Sequence, residues 1–404
     1  MLMRFCFWRA MSQNSSPAPK LKSMAASRQC EEAMLTPADD YPLHQTPEPM
    51  ALASGERNFY DRFFFNGYAA DGSVFFAAAL GVYPQLNIMD ASFCLTVDGR
   101  QHNVRASKHM LGDRLDLVVG PVRIEIIEPL SRVRVSIDDQ ENGMIASLEA
   151  MARHAAVEEP RFTRHNGPRL FMDYTRATQN VSWQGMICFN GTTHKVTGWH
   201  GTRDRSWGIR PVGENDSQSG VPEMVPQFYW LWTPINFENH VLFCHTNDDG
   251  DGVAWNRRAV LQELKSGTVR HFDRFGLNVR YHDGTRRVAG LDLNLTASDG
   301  AQAQVRIQTH APLFYMQGLG YTHPEWGHGK NQGAAKTTFD SVNLDDAEAS
   351  LRQGMMHFLH VQAPATVSLE TQAETHEGRG VVEQLFIGPH APSGFEDLLD
   401  GIVS

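Results

Sequence analysis

The chain has 404 residues, of which 41% are hydrophobic and 20% are charged, a composition typical of folded globular proteins and unlike that of disordered chains. Its formal net charge is −10, and its arginines are scattered singly, so the sequence offers no basic patch for nucleic acid. No run approaches the roughly 20 apolar residues of a membrane-spanning helix, so no transmembrane segment is predicted.

The N-terminal residues 1–45 are predicted to be a disordered leader. The first ten residues are apolar but contain Arg4 and Arg9, and a polar tract follows, which does not fit a secretory signal. The five cysteines are scattered and lack the close spacing of zinc sites or disulfide scaffolds. They indicate small buried side chains in a reducing environment, so the predicted location is cytoplasmic.

Short strands are predicted along the first half of the chain. Asp71-Gly72 and Asp98-Gly99 are turn dipeptides between apolar runs, and each predicts a hairpin. Between Leu115 and Ile137, apolar and polar residues alternate in two successive runs, which predicts two half-buried strands. The segment Ile145 to Ala156 fits either a helix or a strand.

The second half repeats this pattern. Its apolar runs are separated by Asp-Gly turns at about the 8–12-residue spacing of antiparallel barrels and sandwiches. The polar tract 216–225 predicts a linker between one domain at 46–215 and another at 226–404. The predicted fold class is therefore all-β, with two antiparallel β-barrel domains packed together, and a barrel of this size can enclose one small ligand.

The first segment with candidate chemistry is GWHGTRDRSWGIRP, at residues 198–211. It offers an acid with a histidine partner, two flanking cations and an aromatic wall: Asp204, His200, Arg203, Arg205 and Trp207. In the functional interpretation, the arginines hold Asp204 as an acid or base. In the alternative, an Arg–Asp network closes one end of a barrel and the tryptophan caps its core.

The second segment is QGLGYTHPEWGHG, at residues 317–329. Glu325 and His328 are candidates for proton transfer, because histidine titrates near neutral pH and a neighbouring indole raises the pKa of a carboxyl group. With His323 they could form a metal site, but the spacing matches no ligand signature, and no metal is predicted. The aromatic substrate-binding candidates of this segment are Tyr321 and Trp326.

The third segment is the aromatic stripe Phe228 to Trp232. Alternate residues of a strand share a face, so Phe228, Trp230 and Trp232 are predicted to point one way and Tyr229 the other. Such a stripe forms either protein core or the lining of an apolar cavity. The run Asp173-Tyr174-x-Arg176 and Trp183 could face the same cavity, and in the alternative the aspartate and arginine form a structural pair.

No nucleotide cofactor is predicted. Position 204 is Asp where a nucleophile elbow at Ser206 would need Gly. The pair Gly318 and Gly320 lacks the third glycine of a dinucleotide fingerprint, because position 323 is His. The sequence therefore favours chemistry that uses only the side chains of the protein.

These segments resemble a known group, the bacterial double-lipocalin proteins similar to carotenoid 1,2-hydratase (hydroxyneurosporene synthase) and AttH-type proteins. Asp204-x-Ser206-Trp207-Gly208 matches the Asp-x-x-Trp-Gly signature of that group, and the run from Tyr321 to Gly329 is similar to a less characterised branch. The resemblance spans roughly Phe59 to Gly388. It implies two lipocalin-like barrels and the hydration, cyclisation or isomerisation of isoprenoid-like polyenes without a cofactor. Only Asp204 carries over as the acid, since Arg203 and Arg205 replace the neighbouring histidines of the hydratases.

Two functions of different classes follow. The first is an acid-catalysed hydratase, isomerase or cyclase, hence a lyase or isomerase, acting on a hydrophobic isoprenoid- or steroid-like small molecule. Asp204 would be its acid, and an aromatic wall would stabilise a cation. The second is a non-catalytic carrier of a hydrophobic ligand. The partner in both cases is an apolar small molecule.

Overall fold

Two curled antiparallel sheets form two lipocalin-like β-barrel domains, so the predicted all-β fold class is confirmed. The computed structural model describes residues 35–42, 55–110, 114–166, 169–214 and 226–400. The predicted linker lies outside the described residues, as does the predicted leader apart from 35–42. Within the described residues, no helix has the length and apolarity needed to cross a membrane.

The strands of the first half of the chain are β1 (Phe59–Tyr68), β2 (Phe75–Tyr83), β3 (Ile88–Val97), β4 (Arg100–His109), β5 (Val118–Val119), β6 (Val122–Glu128), β7 (Arg132–Asp139), β8 (Met144–Ala152), β9 (Val157–Glu158), β10 (Phe162–Asn166), β11 (Arg169–Phe189) and β12 (Thr192–Ile209).

The second half contains β13 (Phe228–Phe237), β14 (His240–Asp248), β15 (Ala254–Glu263), β16 (Val269–His271), β17 (Arg274–Tyr281), β18 (Val288–Thr296), β19 (Gln302–Thr309), β20 (Phe314–Tyr315), β21 (Ala335–Asn343), β22 (Val361–Thr371), β23 (Thr375–Ile387) and the α-helix α1 (Leu344–Arg352). The first sheet runs in the order β21-β4-β3-β2-β1-β12-β11-β8-β7-β6-β5, and the second in the order β16-β15-β14-β13-β23-β22-β19-β18-β17.

The local signals in the sequence produce the predicted elements. Asp98 and Gly99 both have positive φ, 51° and 71°, as a two-residue hairpin turn requires, and they join β3 to β4. In β7, Val133, Val135 and Ile137 are buried and alternate with more exposed residues, which confirms a half-buried strand. The segment that fitted either a helix or a strand forms β8.

Apolar side chains pack in three main layers. One core lies within the first sheet and a second within the second sheet, while a third joins residues of both. Strand alternation divides neighbours between layers: Phe63 and Phe65 belong to the first core, and Phe64 belongs to the shared layer. The two barrels therefore pack through the outward faces of their central strands.

Besides the shared apolar layer, the pairing of strand β21 with β4 also links the two halves of the chain. Strand β21 lies in sequence between β20 and β22 of the second sheet, yet it pairs with β4 at the edge of the first sheet. Helix α1 follows directly, and the Asn343 side chain accepts hydrogen bonds from the backbone N–H groups of Asp345 and Asp346, as an N-cap does. The edge of the first sheet is thus covered by the second half of the chain.

Candidate active site

Strand β12 sorts the residues of the Asp204 segment onto two faces. Asp204 and Ser206 face the second sheet, and Arg203 and Arg205 lie on the opposite face, because successive side chains of a strand alternate. Gly208 continues the row of Asp204 at φ 136°, and a Cβ there would lie 2.3 Å from the Asp173 carbonyl oxygen. Only glycine fits at this position of the signature.

A cavity of about 290 Å³ lies between the two sheets, in front of Asp204. Its volume is close to the lower limit of ordinary ligand pockets, roughly 300 Å³. The polar residues that line it are Arg176, Asp204, Ser206, Arg210, His360 and Glu383. The apolar and aromatic lining includes Phe64, Met172, Tyr174, Phe228, Trp230, Met316, Tyr321, Leu385 and Ile387. The interiors of the barrels are filled by their own cores, so the shared cavity lies between them rather than inside either one.

Asp204 is the titratable group with the clearest functional character. Burial raises its pKa to about 7; the Arg176 cation lowers it, but the negative charges of Glu159 and Glu383 raise it. Among the described residues, no side chain donates a hydrogen bond to its carboxyl group. Asp204 is therefore a carboxyl group that titrates near neutral pH, beside a space that a ligand can enter.

Glu383, on the facing sheet, has the opposite character. Its carboxylate accepts hydrogen bonds from His360 Nε2 at 2.7 Å, Gln362 Nε2 at 2.6 Å and Trp230 Nε1 at 3.1 Å. Burial alone would raise the pKa of Glu383, but His360, Gln362 and the more distant Arg176 together hold it below its ordinary value. Gln362 in turn accepts a hydrogen bond from Asn66 of the first sheet at 2.9 Å, which fixes the network across the interface.

The positive charge of Arg176 lowers the pKa of both Asp204 and Glu383. Its guanidinium group lies 4.4 Å from the centre of the Trp230 ring, donates a hydrogen bond to the Tyr174 hydroxyl at 3.2 Å and lies 3.8 Å from the Glu159 carboxylate. Glu159 is buried and also accepts a hydrogen bond from the Thr178 hydroxyl at 2.6 Å. One face of the Trp230 indole is thus already occupied by a cation.

The other candidates of the first segment lie away from this cavity. Arg203 and Arg205 form buried ion pairs with Asp40 and Asp61, so they do not hold Asp204. Trp207 is fully buried on the same face as the two arginines and does not line the cavity. The arginines of this segment therefore form the ion-pair network of the structural alternative, with Asp40 and Asp61 as partners, while Asp204 lies on the other face of the strand.

His200 lies in a separate hollow with Tyr68 and Arg153. Burial and the Arg153 cation lower its pKa to about 4, so its imidazole is neutral at physiological pH. It is four residues from Asp204, and at about 3.3 Å per residue the two backbone positions lie roughly 13 Å apart. The structure therefore does not bring His200 to Asp204.

The second segment contributes Tyr321, which lines the cavity. His328 is buried behind it, with ring centres 4.4 Å apart, and its Nε2 donates to the Leu319 carbonyl oxygen at 3.1 Å. Glu325 is exposed, and Trp326 is half-buried beside the Lys336 ammonium group. Neither residue lines the cavity. No group of three His, Cys, Asp or Glu side chains within the described residues is arranged to hold a metal ion.

The aromatic stripe divides as predicted. Trp230 and Trp232 lie in the layer between the sheets, but only Trp230 lines the cavity, since Trp232 packs on Phe64. Tyr229 lies in the core of the second barrel, where its hydroxyl is 3.1 Å from that of Tyr281. Trp183 lies in the core of the first barrel. Alternation thus places Tyr229 on the opposite face from Phe228, Trp230 and Trp232, and of these three Phe228 and Trp230 line the cavity.

Sequence reasoning missed the residues that the second sheet supplies, Glu383 and His360, and assigned no role to Arg210. A signal for Glu383 exists, because Glu383 and Gln384 interrupt the apolar stretch Val381 to Ile387, and residues 380–384 of this strand are all buried. His360 immediately precedes β22 and carries no such signal. Gln362 of β22 lies opposite Glu383 of β23, and their proximity follows from the register of the two strands, which the sequence alone does not give.

The comparisons with known proteins place the chain in a family. Residues 35–396 match the model of a family of unknown function, DUF8625. The chain belongs to this family. No curated protein matches it.

Several solved structures are similar to it. One is described as an AttH of Nitrosomonas europaea, with 13% identity and a TM-score of 0.48 over 85% of this chain and 98% of the other. A second is kievitone hydratase of Nectria haematococca, with 11% identity and a TM-score of 0.42 over 84% and 93%. A third is CghA, solved with Sch210972, with 11% identity and a TM-score of 0.45 over 82% and 89%. At these values, the likeness carries no information about the activity of this chain.

Proposed function

We propose that the protein is a cofactor-independent enzyme of the hydratase, isomerase or cyclase type, which uses acid catalysis on a hydrophobic, isoprenoid- or steroid-like small molecule. The observation that carries this proposal is the pair of carboxyl groups at the cavity. Burial raises the pKa of Asp204 to about 7, whereas hydrogen bonds and nearby cations keep the pKa of Glu383 low. Two carboxyl groups with pKa values pushed in opposite directions are suited to act as acid and base.

In the proposed reaction, Asp204 delivers one proton and Glu383 accepts another. Asp204 donates its proton to the substrate, and a new O–H or C–H bond forms there. In an isomerisation, the Glu383 carboxylate then removes a proton from a neighbouring carbon, whose C–H electrons form the new double bond. In a hydration, water adds to the substrate and loses a proton to Glu383. Solvent returns the proton from Glu383 to Asp204, which leaves the enzyme unchanged.

The surroundings determine where charge can develop. The Arg176 guanidinium covers one face of the Trp230 indole, so that face does not stabilise a substrate cation. Stabilisation of positive charge falls instead to the Glu383 carboxylate, whose position is held by His360 and Gln362. An apolar lining around these groups limits water and strengthens their electrostatic effect.

The test is a deuterium-labelling assay, because proton transfer in heavy water labels a substrate even when its mass would otherwise not change. An organic extract of the source organism is incubated with the protein in D₂O and analysed by mass spectrometry. We expect one compound to gain deuterium, or deuterium plus water, and the rate to fall about 10²- to 10⁴-fold in Asp204→Asn. The exposed Arg123→Gln is the matched control and should react at the wild-type rate.

Two results would contradict the proposal. A compound that binds in native mass spectra but is never labelled or altered would identify a carrier. Turnover by Asp204→Asn at the wild-type rate would remove Asp204 from the reaction. Thermal melting of each variant separates loss of activity from loss of folding, and Glu383→Gln tests the base in the same assay.

A further inference from the structure

Arg210 is the one cation of the cavity lining whose charge no carboxylate balances within the described residues. Its guanidinium group forms no hydrogen bond or ion pair with a described side chain, whereas Arg176 lies 3.8 Å from Glu159. It nevertheless lines the cavity, at the end away from Asp204 in the row Asp204, Ser206, Gly208 and Arg210. Arg210 is half-buried, and a charge that is partly removed from water without a counterion is costly unless a bound ligand balances it.

The surroundings hold Arg210 in place without neutralising it. Its guanidinium carbon lies 5.2 Å from the centre of the Tyr60 ring and 5.5 Å from that of Tyr321. Arg62 lies on Tyr321 as well, at 5.0 Å, and donates to the Leu319 carbonyl oxygen at 3.0 Å. Aromatic rings orient a guanidinium group but leave its N–H donors available. Two cations therefore flank Tyr321 at this end of the cavity.

Much of the remaining lining is apolar. Phe228, Leu385 and Ile387 come from the second sheet, Met172 from β11 of the first sheet, and Met316 from the segment after β20. A ligand that contacts these side chains and also reaches Arg210 has an apolar body with a charged end. The guanidinium fork matches the two oxygens of a carboxylate or the oxygens of a sulfonate.

We propose that the cavity binds an amphiphilic monoanion, in which an apolar body lies against Leu385 and Ile387 and an oxyanion such as a carboxylate accepts hydrogen bonds from Arg210. This inference refines the proposed function, since it names the class of substrate of the same site. It assigns Arg210 a binding role distinct from the proton transfer of Asp204. The substrate would then be an acid rather than a neutral hydrocarbon.

The test uses two fluorescent probes that differ in one group. 8-Anilinonaphthalene-1-sulfonate carries a sulfonate, and N-phenyl-1-naphthylamine is the same ring system without it. We expect Arg210→Gln to raise the Kd of the sulfonate about tenfold and to leave the Kd of the neutral probe nearly unchanged. Arg210→Lys should keep part of the preference, and Arg123→Gln, an exposed arginine, should keep all of it.

A second variant establishes the location. Leu385→Trp fills the cavity from its apolar side and should abolish the binding of both probes. Binding that survives Leu385→Trp, an equal loss of both probes in Arg210→Gln, or no change in that variant would each overturn the proposal. Circular dichroism and thermal melting confirm that the variants are folded. Because no turnover is measured, failure of the labelling assay and failure of this inference are separate results.

Discussion

The two faces of strand β12 carry similar residues in different electrostatic arrangements. On one face, Arg203 and Arg205 each meet an aspartate, and all four side chains are almost completely buried. On the other face, Asp204 has no hydrogen-bond donor and Arg210 has no carboxylate within the described residues. These different arrangements occur within eight consecutive residues, which include Arg203, Asp204, Arg205 and Arg210.

This difference separates paired charges from charges that are available to a ligand. Buried ions are normally paired, since an unpaired charge costs several kcal/mol in a protein interior. The paired face meets that requirement and needs no ligand. The cavity face leaves a protonated acid and a cation available, and such perturbed groups cluster at functional sites.

Breaking a pair on the structural face should have the largest effect on stability. In Asp61→Asn, the carboxylate that accepts from Arg205 at 2.5 Å becomes a neutral amide. We expect the free energy of unfolding to fall by about 3–5 kcal/mol, because the buried cation loses its compensating charge. Urea denaturation measures this loss, with the exposed Arg123→Gln as the control, and Asp204→Asn, on the other face of β12, should show no comparable loss.

Removing both charges of the Asp61–Arg205 pair tests whether the loss comes from the unpaired cation. A double variant, Asp61→Leu with Arg205→Met, removes both charges and should be more stable than Asp61→Asn alone. A double variant less stable than the single one would mean that the pair contributes net stabilisation. A loss below 1 kcal/mol in Asp61→Asn would contradict the division into two faces.

The two carboxyl groups of the cavity should respond to pH with opposite signs. The folded-state pKa of Asp204, about 7, exceeds the ordinary value of 3.8, so the folded protein holds this proton more tightly than the unfolded chain. Stability from Asp204 is therefore present at low pH and declines as the pH rises from about 4 to 7. Relative to wild type, Asp204→Asn should gain on the order of 3 kcal/mol over that range.

Glu383 reverses this sign, because its folded-state pKa lies below the ordinary 4.5. Its carboxylate contributes stability above that pH, and the contribution is lost as the pH falls through the folded pKa. Glu383→Gln should therefore be less stable than wild type at neutral pH, and the difference should close on acidification. Urea titrations between pH 3 and 8 check both variants, and curves of the same sign would contradict the acid and base assignments.

Much of the fold followed from local sequence signals. Asp-Gly turns and period-two alternation are local properties, and they predicted the β3–β4 hairpin and the opposite faces of Trp230 and Tyr229. The addition of β21 to the first sheet was not predictable in this way, because it pairs residues more than 200 positions apart. Such a pairing depends on the register of the whole sheet.

The site was predictable only on one side. Asp204 belongs to the local segment at residues 198–211, and it was identified by the match of that segment to the Asp-x-x-Trp-Gly signature. Glu383 lies on β23 of the other sheet and His360 immediately precedes β22, and the hydrogen bond between their side chains joins them. Spacing also grouped Arg203 and Arg205 with Asp204, although alternation along β12 turns them to the opposite face.

The smallest predicted effect on stability is that of Tyr229→Phe, and it is compared with the neighbouring substitution Trp230→Phe. Tyr229→Phe removes a hydroxyl that lies 3.1 Å from the Tyr281 hydroxyl in the second core, so we expect a loss of about 1 kcal/mol in the free energy of unfolding. Binding of both naphthalene probes should not change, since Tyr229 faces away from the cavity. Trp230→Phe should weaken binding of both probes, because its indole lines the cavity and donates to Glu383. Weakened probe binding in Tyr229→Phe would show that the second barrel core and the cavity are coupled, and the two faces of β13 would then not be independent.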